Sequence, residues 1–407
     1  MRTCRLCGSE SLTGFLDLGF TPLADDFLKP ERLHEPEVHY PLRVVRCDHC
    51  MFVQLDHVVD AGILYGNDYP YMSSITAAGR KHFHAFAAGV TEAFAFPANS
   101  LAVDIGSNVG VLLDGFKRCG MRIVGIEPAG NIATIARENG IPTISEFFSP
   151  AVAERVVAEH GKAKVITGSN VFAHVDDLKT FLTAIDGLLD ADGVFIVEAP
   201  YLMHLIDKLE YDTIYHEHLS YLSLTPIVPF LRRCGMEAFD VTQTDIHGGS
   251  IRIFISRPGQ RKVTDTVRAL LDMEQKREIH AVANLAAFAE KVRKHRDKLN
   301  HLLMSLKREG KRIAGVSAPA KGMTLLNYCK IDGGALEFLT EKCPLKIGRF
   351  APGSHLPVLP DSALMTENID YALILAWNFK DEIMANLSAF KSKGGRFIIP
   401  IPEPMIV

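Results

Sequence analysis

Between Leu101 and Glu127 the chain reads LAVDIGSNVGVLLDGFKRCGMRIVGIE, and no other stretch restricts the fold as strongly. Leu101 to Ile105 is a short apolar run, the mark of a buried strand, and Gly106 and Gly110 bracket a tight turn. Val111 to Cys119 carries a helical period, and Met121 to Ile126 is a second apolar strand that stops at Glu127. Together they form the first βαβ unit of a doubly wound α/β sheet. Asp104 stands near the end of the first strand, and the glycines allow the backbone around Ser107 and Asn108 to approach a ligand closely. Glu127, followed by Pro128, is placed to accept two ribose hydroxyls. The turn reads Gly-x-x-x-Gly, without the three-glycine fingerprint that cradles a pyrophosphate, which favours S-adenosylmethionine over NAD. A glycine after an apolar strand is also ordinary turn chemistry, so the terminal acid and the features below carry the functional reading.

Four of the eight cysteines are paired as Cys4-Arg-Leu-Cys7 and Cys47-Asp-His-Cys50. Two such knuckles bring four thiolates into a closed tetrahedral set, the pattern of one structural zinc ion, with His49 a bystander. The short strands expected between them, LTGFLDLG and VHYPLRVVRC, are too few to bury a core, so the metal supplies much of the folding free energy. Cys119, Cys234, Cys329 and Cys343 are scattered and read as core thiols of a protein in a reducing cytoplasm.

Composition excludes two partner classes. A formal net charge of -4 offers no basic footprint for nucleic acid. No apolar run reaches bilayer-spanning length and none resembles a leader, so a cytoplasmic protein without membrane contact is expected. At 407 residues the chain has room for two or three cores, and either a monomer or a homodimer fits.

Along the chain, NDYPYMSSI places Tyr69 and Tyr71 at the mouth of the cofactor pocket, before a helix over KHFHAFAAGVTEAF. IPTISEFFS is expected to be the third strand, with Glu146 and Phe147 flanking an adenine ring. Ligands of open α/β sheets gather at the carboxyl ends of strands, which puts Ser169, Asn170 and His174 on the rim, along with Glu198 and Tyr201 from GVFIVEAPY. Tyr215-His216-Glu217-His218 concentrates two imidazoles, a carboxyl and a phenol, the ingredients of a general base near neutral pH. An extended backbone would put the two histidines on one face; a helical one would pair Tyr215 with His218. The spacing offers no third metal ligand. A glycine turn, Asp245-Ile246-His247-Gly248-Gly249-Ser250, feeds the strand IRIFISR and brings His247 in as a substrate contact. Residues 263–308 are helical, with an apolar stripe at Leu285, Phe288, Val292, Leu299, Leu302, Leu303 and Leu306. From 311 a second α/β pattern begins, and Lys321, opening a helix after KRIAGV, is placed for an anion such as a diphosphate.

In this order the motifs CxxC…CxxC, DIGSNVG, GIEPA, NVFAHV, IYHEHLSYLS, HGGSIR and GVSAPAKGMTLLNYC resemble those of the three-domain deoxysugar C-methyltransferases, the tetronitrose-pathway type among them. The resemblance spans essentially the whole chain. It implies a zinc-binding domain (1–65), a central Rossmann-like S-adenosylmethionine domain (66–245) and a C-terminal Rossmann-like domain (246–407) that helps hold a nucleotide-linked keto-sugar. It also implies that His218 is the general base, with Tyr215, Glu217, His174 and Tyr69 as companions, Glu217 orienting or tuning the base. Two positions depart from the family pattern. Val109 replaces the acid of an SNDG or CNDG loop, which bears on a polar contact near the cofactor. His216 stands where the tetronitrose type has an aspartate, which bears on the sugar recognised. An O- or N-methyltransferase would leave Tyr215 to His218 without a task, and a zinc-containing scaffold that has lost catalysis is the reading Val109 keeps open.

Overall fold

The computed structural model describes residues 3–66 and 68–407. Three sheets organise it. The central sheet has seven strands in the order Glu237–Thr244, Ser250–Ser256, Leu189–Pro200, Ala163–Ser169, Leu101–Ile105, Arg122–Ile126 and Thr143–Ile144. The last five run parallel, and the first two form an antiparallel edge hairpin. All five residues of Leu101–Ile105 are buried, as a central parallel strand covered on both faces requires. Strand order reverses on either side of it, so the switch-point crevice opens at its carboxyl end, beside that of Ala163–Ser169. The segment expected as a third strand pairs over only Thr143 and Ile144. The sheet also runs past the expected domain limit at 245, because Ser250–Ser256 pairs with Leu189–Pro200.

In the N-terminal sheet, Leu12–Thr21, Tyr40–Cys47 and Val53–Leu55 are joined by a fourth strand, Ser220–Tyr221, supplied from the middle of the chain. The C-terminal sheet has six strands, with Ile313–Val316 near its centre and only the edge strand Met405–Ile406 antiparallel.

Residues 263–308 form two helices, Asp265–Lys276 and Val282–Arg308. Leu285, Phe288, Val292, Leu299, Leu303 and Leu306 of the second are buried, and Leu302 is partly so. This stripe belongs to one apolar core shared by the N-terminal sheet and the C-terminal layer, so the long helix is the hydrophobic bolt between them. Among the described residues, no helix is long and apolar enough to cross a membrane.

Candidate active site

In the N-terminal layer the sulfurs of Cys4, Cys7, Cys47 and Cys50 all lie within 4.8 Å of one another. Cys4 and Cys50 approach to 3.4 Å, and Cys7 and Cys47 to 3.5 Å. A tetrahedral site with bonds of about 2.3 Å has sulfur–sulfur edges of about 3.8 Å, so four thiolates and no other donor fit a structural zinc ion. His49 is outside the set.

At the switch point lies a cavity of about 510 Å³, in the range of small-molecule sites. Asp104, Gly106, Ser107, Asn108, Glu127, Pro128, Phe147, Ser169 and Asn170 all line it, as expected for the donor pocket. Glu127 organises the loop: Oε2 accepts from the Asn108 amide and Oε1 from the Ala129 amide, both at 2.9 Å. Each of its oxygens keeps a second lone pair for a ribose hydroxyl. Burial pushes the Glu127 carboxyl up from its ordinary value and that of Asp104 up to about 7, the latter despite a 2.6 Å bond from the Thr167 hydroxyl. Ser107 Oγ, Ser169 Oγ and Asn170 Oδ1 are buried without a hydrogen-bond partner. Ser107, Asn108, Glu127, Ser169 and Asn170 give the wall of this cavity a polar side, which fits a polar ligand such as S-adenosylmethionine.

Several expected donor contacts fall elsewhere. Gly106 is in the left-handed region at φ 63°, and a Cβ there would meet Val171 at 2.3 Å. Gly110, by contrast, does not line the cavity: at φ 83° it starts the helix Val111–Arg118, and a Cβ would meet Ile141 at 2.6 Å, so its role is packing. Glu146 points to solvent and pairs with Arg155 at 2.8 Å. Val109 is buried in the core beneath the loop and does not line the cavity, so the missing acid removes nothing from the pocket wall.

A second cavity, of about 270 Å³, lies between the central and C-terminal layers and shares Tyr69, Tyr71, Ser73, Phe83, Asn170 and His174 with the first. Tyr215, Glu217, His218 and Lys321 line this acceptor side. Residues 215–218 form a tight turn, with the His218 amide bonded to the Tyr215 carbonyl at 2.9 Å, so Tyr215 and His218 come together with ring centroids 3.9 Å apart. His216 points the other way. It lies against Tyr40 of the N-terminal sheet with both ring nitrogens buried and unbonded, and burial pushes it down to about 4. It lines neither cavity, so its departure from the family residue alters the wall of neither.

His218 Nδ1 lies 2.7 Å from the Thr213 carbonyl. A carbonyl only accepts, so Nδ1 carries a proton, and the neutral form of the ring has its lone pair on Nε2. The expectation that Glu217 orients the base is thus corrected: the partner of Nδ1 is a backbone oxygen, and Glu217 Oε2 instead accepts from the Tyr69 hydroxyl at 2.8 Å. Burial, with the charge of Asp25 added, pushes Glu217 up to about 8. Asp25 comes from the N-terminal layer and forms a buried ion pair with Lys346 at 3.0 Å. His174 lies 5.1 Å from His218 between ring centroids, and its Nδ1 meets the Tyr65 hydroxyl at 2.9 Å. Burial and the neighbouring His218 lower its pKa well below the ordinary value, so it is neutral. Lys321 lies 4.3 Å over the Trp377 ring and donates to Asn378 at 3.1 Å. Tyr201 is not a substrate contact: it is fully buried on the far side and donates to Glu274 at 2.8 Å. The His247 side chain lies outside the described residues. Tyr65, Thr213, Asp25 and Lys346 carried no local signal in the sequence, because each reaches the site from a segment distant along the chain or through its backbone.

Glu217 gives a pH test. Its folded pKa near 8 exceeds the ordinary 4.5, so folding retains a proton that unfolding releases. Stability from this group is complete below about 4.5 and is lost as pH rises towards 8, at up to about 1.4 kcal/mol per pH unit. Glu217→Gln keeps an acceptor for Tyr69 and cannot ionise. Its unfolding free energy relative to wild type should therefore rise between pH 5 and pH 8.5 in denaturant titrations, and parallel profiles would contradict the buried neutral acid.

Comparison with known families matches residues 4–65 to a "Putative zinc binding domain", residues 79–239 to a methyltransferase domain and residues 245–402 to a C-methyltransferase C-terminal domain. The C-methyltransferase NovU of Streptomyces niveus is 35% identical over 405 residues, covering 99% of this chain and 96% of its own. The ubiquinone biosynthesis O-methyltransferase of Methylobacterium sp. (strain 4-46) is 30% identical over 97 residues, 23% of this chain and 38% of its own. The solved magnesium protoporphyrin IX methyltransferase of Synechocystis PCC 6803 with bound SAM aligns with 44% of this chain and 79% of its own at 13% identity and a TM-score of 0.34. That likeness is too slight to carry an argument.

Proposed function

The chain belongs to the C-methyltransferase family that includes NovU, and from this premise we propose that it methylates a ring carbon of a nucleotide-linked keto-deoxysugar, with His218 as the base. Dependence on S-adenosylmethionine follows from the methyltransferase domain and the donor cavity. The observation that carries the proposal is the meeting of two cavities along Tyr69, Tyr71, Asn170 and His174, with a tautomer-fixed histidine on the acceptor side only.

A carbon beside a ketone becomes nucleophilic once its proton is removed. Bound S-adenosylmethionine supplies a methyl group made electrophilic by its sulfonium. Nε2 of His218, holding its lone pair because Nδ1 donates to Thr213, takes the proton. The enolate oxygen that develops needs donors. Tyr215 lies beside the base, and in the tautomer in which the Tyr65 hydroxyl donates to Nδ1 of His174 the ring's single N–H is on Nε2, which has no protein partner. Such a preset donor costs no reorganisation as charge develops. Glu217, neutral at pH 7, and the Asp25–Lys346 pair form a polar wall for ring hydroxyls. Lys321 stands where the anionic end of the substrate would lie, with Tyr71 lining both cavities.

Incubation of the enzyme and S-adenosylmethionine with a panel of keto-sugar nucleotides should give, for at least one of them, a product heavier by one methyl group. Its fragmentation and NMR should place that group on the carbon next to the ketone. A methyl on oxygen or nitrogen would overturn the proposal.

A further inference from the structure

The turn that carries the base is held from outside its own layer. Thr213, whose carbonyl receives the His218 Nδ1 proton, closes the short helical turn Tyr211–Thr213. On one side of it, Asp212 is fully buried and its Oδ2 accepts from the Trp377 indole Nε1 at 2.7 Å. On the other, the Ile214 carbonyl accepts from the Thr324 hydroxyl at 3.1 Å. The Tyr211 hydroxyl meets Nδ1 of His295 at 3.0 Å. Three bonds to the long helix, to the helix Ala320–Cys329 and to the turn Trp377–Phe379 thus surround one carbonyl. A buried carboxyl group is costly unless it is hydrogen-bonded, and the Trp377 indole supplies that bond to Asp212. What lies next to this one along the chain is the peptide oxygen that sets the tautomer of His218.

We infer that Trp377 is a positioning residue for the methyl transfer: through Asp212 it holds the Thr213 carbonyl in place, and so keeps His218 in its Nδ1–H form with the basic nitrogen in register with the acceptor cavity. The C-terminal layer then does more than hold the substrate; it sets the base. Lys321, over the Trp377 ring and lining the same cavity, ties this clamp to the acceptor pocket. The inference rests on the reading of His218 as the base.

Trp377→Phe keeps the ring and removes the donor. Long-range nitrogen–proton spectra of the intact protein with labelled histidine should show a single Nδ1–H tautomer for His218 in the wild type and a mixture in Trp377→Phe. With the panel sugar that turns over, kcat should fall about tenfold and both KM values stay within about twofold, as for a displaced base. Asp212→Asn retains an oxygen for the indole and should hold kcat within about threefold, whereas Asp212→Leu should behave like Trp377→Phe. Thr324→Val should lower kcat in the same direction, and tests the clamp should the Trp377 variant fold poorly. A merely structural role would lower the melting temperature and leave kcat and the tautomer unchanged, which would overturn the inference. An active His218→Ala enzyme would overturn the base reading instead, and the two failures are thereby told apart.

Discussion

Replacing His218 by alanine should abolish methyl transfer, lowering kcat by on the order of 10³-fold or more, and should leave the affinity for S-adenosylmethionine within about twofold of wild type. The separation follows from the two cavities: His218 lines the acceptor side and is absent from the donor side. Alanine removes the imidazole on the acceptor wall whose ring orientation is set by a backbone carbonyl, while His174 beside it is kept neutral by burial and engaged by Tyr65. Burial raises the pKa of both Tyr215 and Glu217, so at neutral pH both are mostly protonated and are poor substitutes for it. Turnover measured by product mass, with donor binding by calorimetry on the same preparation, makes the check. Unchanged turnover would remove His218 from the base role, and loss of donor binding would show that the alanine had disturbed the fold.

Taking the metal from the four-cysteine centre, or replacing the buried Cys47 by serine, should unfold the N-terminal layer and abolish activity. Its three local strands, Leu12–Thr21, Tyr40–Cys47 and Val53–Leu55, find their apolar core against the long helix and the C-terminal layer, and metal binding on the order of 10 kcal/mol fixes the loops at their ends. The loss does not stop at that layer. The fourth strand of its sheet, Ser220–Tyr221, begins two residues after His218, and the Leu55 amide bonds the Leu219 carbonyl at 2.9 Å. Asp25, on the acceptor wall, belongs to the same layer. Metal analysis should find about one zinc per chain, and chelation should remove the corresponding thermal transition together with turnover. A metal-free preparation that stays folded and active would contradict the structural role.

What could be read from the chain without coordinates was whatever local pattern carries. The apolar run and glycine turn of residues 101–127 specified a βαβ unit because a buried strand and an amphipathic helix have different periods. Two CxxC pairs specified a metal centre because the ligand chemistry is written in the spacing. The loop at Gly106 to Asn108 and the acid at Glu127 fell on the wall of the cavity at the switch point for the same reason. The failures share a cause as well. Glu146 and Tyr201 were placed by their position after a strand, yet a side chain's direction at a strand end depends on how the chain turns, and theirs turn to solvent and to Glu274. Gly110 looked like a ligand contact because left-handed glycines serve packing and binding alike.

The sequence by itself determined the first βαβ unit with its glycine turn and the two CxxC pairs, since each is a property of residues close together in the chain. Only the tertiary structure decided that Tyr215, Glu217 and His218 line a cavity while His216 turns to the N-terminal sheet, that a backbone oxygen at Thr213 accepts from His218 Nδ1, and where Asp25, Lys346 and Trp377 lie around them. Hydrogen bonds between segments hundreds of residues apart are created by sheet order and layer packing, and neither leaves a period in the sequence.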